Sequence, residues 1–251
     1  MEPTIPTRTR TTPLPVRQDG PLAVNTNSSS TAFFDRIQNN RALAVQLLVA
    51  IVVVVLVGAA IAITYNLRAN AASAALADAM QVLDTPVSTP DQPTPPSVKS
   101  FGSTAERARA AAAQFGTVAD KYGSTPAGRN ALYLQAVSTL EAGDKGTAET
   151  LLKKSADSWN GDVSTLSQMA LAGLYHDTGR DAQAIDTYKK VAGKPSTLVP
   201  AGLARLDLAA LYESTGKSAD AKKIYAEIKD KDPKSAAAEI ATQKLSGAPA
   251  R

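Results

Sequence analysis

The single histidine of this 251-residue chain, His176, stands beside Asp177 and shortly before Asp181 and Asp186. In a cleft, such a set could act as a general base or hold a metal ion. The spacing argues for neither. Neighbours at i and i+1 do not face each other on a helix, the acids fall in a turn and on an exposed face, and one imidazole leaves too few ligands for a transition metal. The chain has no cysteine, which removes thiolate zinc sites, disulfides and cysteine nucleophiles together. Gly193-Lys194-Pro195 puts Pro where a phosphate loop needs Ser or Thr, with no upstream Gly at the required spacing, and no Gly-x-Ser-x-Gly elbow occurs. The expectation is a protein that is not an enzyme, with no cofactor and no metal, in which His176→Ala leaves function largely intact.

Charge narrows the partners. The formal net charge is +4, with 27 Lys and Arg against 23 Asp and Glu. The basic residues alternate with acids along the chain instead of clustering, so no nucleic-acid footprint is expected.

The elements that must position any site are announced by a pattern occurring twice, 37 residues apart: Leu171, Ala172, Tyr175, Gly179, Ala184, Tyr188, then Leu208, Ala209, Tyr212, Gly216, Ala221, Tyr225. A fixed offset marks an internal repeat. Apolar positions at helical spacing flank a Gly-containing turn, so each unit reads as helix, tight turn, helix. The small Ala172, Ala184, Ala209 and Ala221 let helices approach closely, and Tyr175, Tyr188, Tyr212 and Tyr225 read as packing residues. Trp159 reads as a packing residue in a loop or at a helix end.

With Pro233 eight residues after Tyr225, the pattern resembles the tetratricopeptide repeat family, although Arg205 stands where that family often has Trp. The copy over residues 202–233 carries its other signature residues at the family spacing; that over 165–196 matches almost as well, with Pro195 one place early. A divergent copy over 127–160 has Ala136, Gly143, Ala148 and Leu152, with Thr139 in place of Tyr. Residues 104–126 carry Ala111, Phe115 and Val118 as a half-repeat, and its missing first helix would be residues 69–83. A helix over 234–245, with Ala237, Ile240, Ala241 and Leu245 on one stripe, would cap the stack. The implied fold is all-α: a single transmembrane helix followed by an α-solenoid of about 3.5 hairpins and a C-terminal capping helix, the repeat domain occupying residues 101–251.

Residues 47–63 are 17 apolar residues without a break, and the run extends over 42–65 if Gln46 and Thr64 are tolerated. That length crosses a hydrocarbon core of about 30 Å. Twelve of the 17 are Leu, Ile or Val, which favours insertion by roughly 4 to 7 kcal/mol. The run is longer, and lies further from the start, than a signal-peptide core, so an uncleaved anchor is expected despite the small residues Ala69-Asn70-Ala71. Arg36 and Arg41 before the run, against Arg68 after it, put the N-terminus in the cytoplasm.

Residues 1–41, rich in Thr, Pro, Ser and Asn, are expected to form a disordered cytoplasmic tail. Asn27-Ser28-Ser29 matches a glycosylation acceptor only formally, on the cytoplasmic side. Residues 66–84 read as a juxtamembrane helix. Five prolines in residues 85–100 (Pro86, Pro90, Pro93, Pro95, Pro96) make that segment either an extended spacer reaching roughly 50 Å or a loop inserted between two halves of a hairpin.

The resemblance to tetratricopeptide repeats implies a ligand groove lined by the first helix of each unit: Asn130, Tyr133, Val137 and Leu140, then Met169, Gly173, His176 and Asp177, then Leu206, Ala210 and Glu213. That face is mixed and mostly apolar. Some family members grip a terminal carboxylate with Lys and Asn there; only Asn130 has such a type, so an amphipathic helix or an extended apolar segment is the expected guest.

The order of tail, span and repeat domain, with the turn Tyr122-Gly123-Ser124-Thr125-Pro126, resembles the bacterial ancillary SecYEG translocon subunit family. The resemblance implies a single-pass protein of the bacterial inner membrane with its repeats in the periplasm, a protein-binding module that assists export or chaperone traffic near the Sec translocon. The alternative is a scaffold for cell-envelope or cell-division complexes.

Overall fold

The computed structural model describes residues 41–89 and 93–247. The tail expected over residues 1–41 lies, save for Arg41, outside the described residues. The chain divides into two units, residues 1–60 and 61–251.

Helix α1 runs Arg41–Asp84 and is, among the described residues, the helix long and apolar enough to cross a membrane. In the first unit its residues 41–60 bury almost nothing, and Val54, Leu56 and Ile51 are all largely exposed. A wide belt of aliphatic side chains without protein to cover it is what a lipid-facing segment presents.

The second unit is a series of helices packed in sequence order: the end of α1, then α2 (Thr104–Tyr122), α3 (Pro126–Glu141), α4 (Lys145–Ala156), α5 (Gly161–Asp177), α6 (Asp181–Gly193), α7 (Ala201–Ser214), α8 (Ser218–Lys231) and α9 (Ala236–Ser246). Each contacts its successor from α2 onward, α3 also touches α5, and α7 also touches α9. That is the contact pattern of stacked hairpins.

The last turns of α1 pair with α2. Ala79, Ala111, Phe115, Val118 and Ala131 form a buried cluster, against which Leu76, Val82 and Leu83 also pack. Arg68 Nη2 donates to the Lys121 carbonyl at 2.6 Å and Arg107 Nη1 to that of Leu83 at 3.2 Å. The Pro-rich segment between these helices closes on itself: Phe101 N donates to the Pro86 carbonyl at 3.0 Å, Ser88 N to that of Phe101 at 2.8 Å, and Thr94 N to Ser88 Oγ at 3.1 Å. Its ends therefore lie side by side, not the roughly 50 Å apart that a polyproline rod would set them. Antiparallel pairing of α1 with α2 demands this, because the chain must return to where it left. The half-repeat thus has its partner in α1.

The three central turns share one geometry. Gly179 N donates to the His176 carbonyl at 2.9 Å and Arg180 N to that of Tyr175 at 2.7 Å, and the same two bonds recur at Gly143 and Gly216. This is the Schellman closure of a helix end, and it needs a left-handed residue. Gly179 has φ +74°, which an L side chain adopts only with strain. The Tyr122–Pro126 turn is made otherwise. Fully buried Thr125 caps α3, accepting from Gly128 N at 3.1 Å and donating to the Tyr122 carbonyl at 2.8 Å, with Pro126 in the first turn. Gly128 lies so close to Tyr122 that a Cβ there would collide with its carbonyl.

The main core joins Leu152, Leu171, Tyr175, Tyr188, Leu208, Tyr212 and Tyr225 with the alanines at 136, 172, 184, 209 and 221, all buried. The tyrosines therefore pack, as their spacing implied. Glu149 of α4 receives Arg180 through both guanidinium arms, at 3.0 and 2.7 Å, while Arg180 also lies over the Tyr175 ring. Asn160 and Ser235 cap α5 and α9.

Candidate functional site

The first helices α3, α5 and α7 carry the residues expected to meet a ligand. Asn130, Asp177, Ala210 and Glu213 are exposed; Tyr133, Val137, Met169, Gly173, His176 and Leu206 are half-buried. Tyr133, Leu140, Met169 and Leu206 lean against the main core, so each offers one edge to solvent and commits the other to packing. Burial pushes the Tyr133 phenol above its usual range.

His176 joins three elements. Its Nδ1 lies 2.6 Å from Asp181 Oδ1, the first residue of α6, and its Nε2 3.4 Å from Ser214 Oγ at the end of α7. The carboxylate it meets is thus Asp181, across the turn, and not the adjacent Asp177. Hydroxyl, imidazole and carboxylate stand here in the order of a nucleophilic relay. The setting opposes that use. Ser214 Oγ donates to the Leu211 carbonyl at 2.9 Å, and it sits at the C-terminal end of α7, where free carbonyls would repel a developing oxyanion. The three groups instead tie the α5–α6 turn to α7. Among the described residues no three His, Asp or Glu gather closely enough to hold a metal ion.

Two polar groups on this face escaped the sequence reading. The Tyr188 hydroxyl lies beside α5, 4.0 Å from where a Cβ on Gly173 would stand. Burial, with the carboxylates of Asp207 and Asp177 adding, pushes the Tyr188 phenol up to about 12. Burial likewise raises the Asp207 carboxyl above the ordinary range. Asp207 holds the register position of Ala170, one residue after Leu206, so an acid standing where its sister repeat has Ala was the available signal. Glu213 pairs with Lys244 of α9 at 2.9 Å, and Lys145 Nζ reaches the Asp177 carbonyl at 3.5 Å. The Tyr225 phenol is pushed up to about 12 by burial first and by Glu213 second.

Leu206 also opens into an apolar cleft of about 510 Å³ between α7, the end of α8 and α9, lined with Leu203, Ile228, Ala237 and Ile240. Leu203 and Ile240 stay well exposed. Arg205, at the position where Trp is frequent, pairs with Glu227 at 3.4 Å and forms part of the rim. Trp159 departs from its expected packing role: it is 78% exposed, its ring covered on one side by the Arg129 guanidinium.

No protein of curated function matches this sequence. Two crystal structures are similar in part: the nearly identical TPR-like repeats of a Podosopora anserina protein described as a kinesin light chain, and a point variant of the same repeats. Each is 15% identical with a TM-score of 0.46, covering 56% of this chain and 77% and 76% of theirs respectively. The model of the tetratricopeptide repeat-like domain matches residues 40–246. Helical hairpins, Schellman turns and a nearly full-length match agree, and the chain belongs to the tetratricopeptide repeat-like domain family.

Proposed function

We propose that this chain is an anchored protein-interaction module that grips an apolar segment of its guest on the face of α5 and α7, with a basic side chain of the guest directed at Asp207. One observation carries this reading: Asp207, one residue after Leu206 on α7, is a half-buried carboxylate that has no cation of its own among the described residues. Half-burying an ionised carboxylate without a partner costs stability, and a guest cation would offset that cost. The half-buried Met169 and Leu206 would bury against the guest's apolar face.

The proposed setting is the outer side of a bacterial inner membrane, the N-terminus cytoplasmic and the hairpins periplasmic, with newly exported proteins or chaperones near the Sec translocon as guests. The support is the apolar α1 together with the likeness of topology and turn. Photocrosslinking from Met169 or Leu206 in cells tests it. Enrichment of translocon subunits or chaperones is expected; labelling spread over abundant envelope proteins would sink the partner, and cytoplasmic activity of a reporter fused after Arg251 would sink the topology.

A further inference from the structure

The last turn of the apolar run, Ile61 to Tyr65, belongs to the same unit as the hairpins, and Ile61, Ile63 and Tyr65 are exposed there. Arg68 follows on the same helix, about 4.5 Å past Tyr65. A headgroup layer is roughly 5 to 8 Å deep, so Arg68 stands within it when Tyr65 ends the span.

From Arg68 a series of short contacts leads along one edge of the repeats. Its Nη2 donates to the Lys121 carbonyl at 2.6 Å, in the last turn of α2. Just beyond, the Ser124 carbonyl accepts from Arg129 Nη1 at 2.9 Å, and Arg129 Cζ lies 3.9 Å from the centre of the Trp159 ring. Trp159 immediately precedes the cap of α5. In the first turns of that helix Asp162 accepts from Leu198 N at 3.0 Å, and Thr165 Oγ1 meets Ser196 Oγ at 2.6 Å. The links α2–α3, α4–α5 and α6–α7 therefore gather on the edge that begins at Arg68. The Gly143, Gly179 and Gly216 turns lie at the other ends of these helices.

That edge carries the side chains a lipid surface takes up. Trp159 is the most exposed large apolar side chain among the described residues, at 78%, and Leu198 is 59% exposed. The buried Arg129 covers one face of the indole and so holds the ring in a single pose, with the rest of it in solvent. Tryptophan suits the boundary between headgroups and acyl chains, because its body is apolar and its N–H polar. Lys190 and Lys194 line one cleft with Trp159, and Lys121 stands at the Arg68 contact. All three lysines are exposed, with no ion-pair partner among the described residues. The exposed acids nearest in sequence to Lys121 and Trp159 are Asp120 and Asp157.

We propose that this edge is a membrane-docking surface: Trp159 and Leu198 sit in the headgroup region of the bilayer that α1 crosses, and Lys121, Lys190 and Lys194 meet its phosphates. Docking presupposes the membrane-spanning α1 proposed above and adds a second contact with the same bilayer. One helix alone tethers the repeats without orienting them. A second attachment fixes which edge faces lipid and leaves the opposite turns on the aqueous side. A protein partner fits this edge less well, because the contacts from Arg68 bring the indole to the level where lipid surrounds it.

Trp159 is the only tryptophan of the chain, so its emission reads the contact directly. The full chain is reconstituted in vesicles of equal parts phosphatidylcholine and phosphatidylglycerol, with acyl chains either plain or brominated near the headgroup. A ring at headgroup level should lose about half of its emission in the brominated vesicles. Leu198→Glu combined with K190E/K194E should restore most of it, with far-UV circular dichroism confirming the fold. Equal emission in the two kinds of vesicle, from a chain that resists alkaline carbonate extraction, would overturn the docking surface, leave the anchor standing and return Trp159 to a protein partner. Extraction of the chain by carbonate would remove the anchor, and docking with it. Undiminished quenching in the folded triple variant would also sink the proposal; should that variant not fold, the comparison of the two vesicles with the unaltered chain decides alone.

Discussion

Arg180, from the turn that opens α6, reaches back one hairpin to Glu149 and grips its carboxylate with both arms, at 3.0 and 2.7 Å. Lys153 adds a third contact at 2.7 Å. These bonds, Arg180 first, hold the Glu149 carboxyl at about 2. A group whose folded value is depressed contributes stability that is present above its unfolded value, near 4.3, and lost as pH falls toward about 2. Because the pair is partly exposed, Glu149→Gln should cost about 0.5–1 kcal/mol at pH 7 and almost nothing at pH 2. Urea melts at both pH values check this; a cost independent of pH contradicts it.

Gly179 has φ +74° in the closure that both ends α5 and places Arg180. Gly179→Ala should therefore lower stability by about 1 kcal/mol or more. Gly128→Ala should cost more, because the new Cβ meets the rigid backbone of Tyr122 and not a flexible side chain. Midpoints of chemical unfolding rank the two.

Phe115 is fully buried between the last turns of α1 and the helices α2 and α3. Phe115→Ala should cost about 3–5 kcal/mol and loosen the first hairpin before the rest. Limited proteolysis would detect this as earlier cleavage within residues 85–103, with α7 to α9 still protected.

Asp207 has a raised value from burial, so its sign is opposite to that of Glu149. The charged form is disfavoured in the folded state: the contribution is fully present below the unfolded value near 3.9 and is lost as pH rises through the folded one. Asp207→Asn should thus stabilise the domain at pH 7, by less than about 1 kcal/mol, with the gain vanishing near pH 3. The same variant should lose affinity for any guest crosslinked at Leu206 if a basic side chain is held there. Stabilisation without loss of crosslinking separates folding from recognition.

His176→Ala should remove the link from Asp181 to Ser214 at a cost of about 1 kcal/mol, while guest crosslinking at Met169 persists. Loss of crosslinking with the fold intact would assign the imidazole to the guest.

The doubled Leu-Ala-Tyr-Gly-Ala-Tyr pattern was legible because hairpin formation is local: helical spacing, a left-handed glycine and a small residue at each crossing operate within about 35 residues. The apolar run of α1 was legible for the same reason, since length and composition alone decide whether a helix can cross a membrane. Three things depended on how the turns and hairpins close. The closure of the Pro-rich segment required α1 and α2 to pack antiparallel through Phe115, which no proline count reveals. The partner of His176 was set by the turn geometry that brings Asp181 round, not by the adjacent Asp177. Trp159 and Arg129, thirty residues apart at the two ends of one repeat, became a pair only when the α3–α4 hairpin closed and brought the start of α3 against the α4–α5 link. Local periodicity determines which elements form and which faces they bury; which polar groups those faces leave without a partner is decided by how the hairpins stack, because desolvation depends on neighbours distant in the chain.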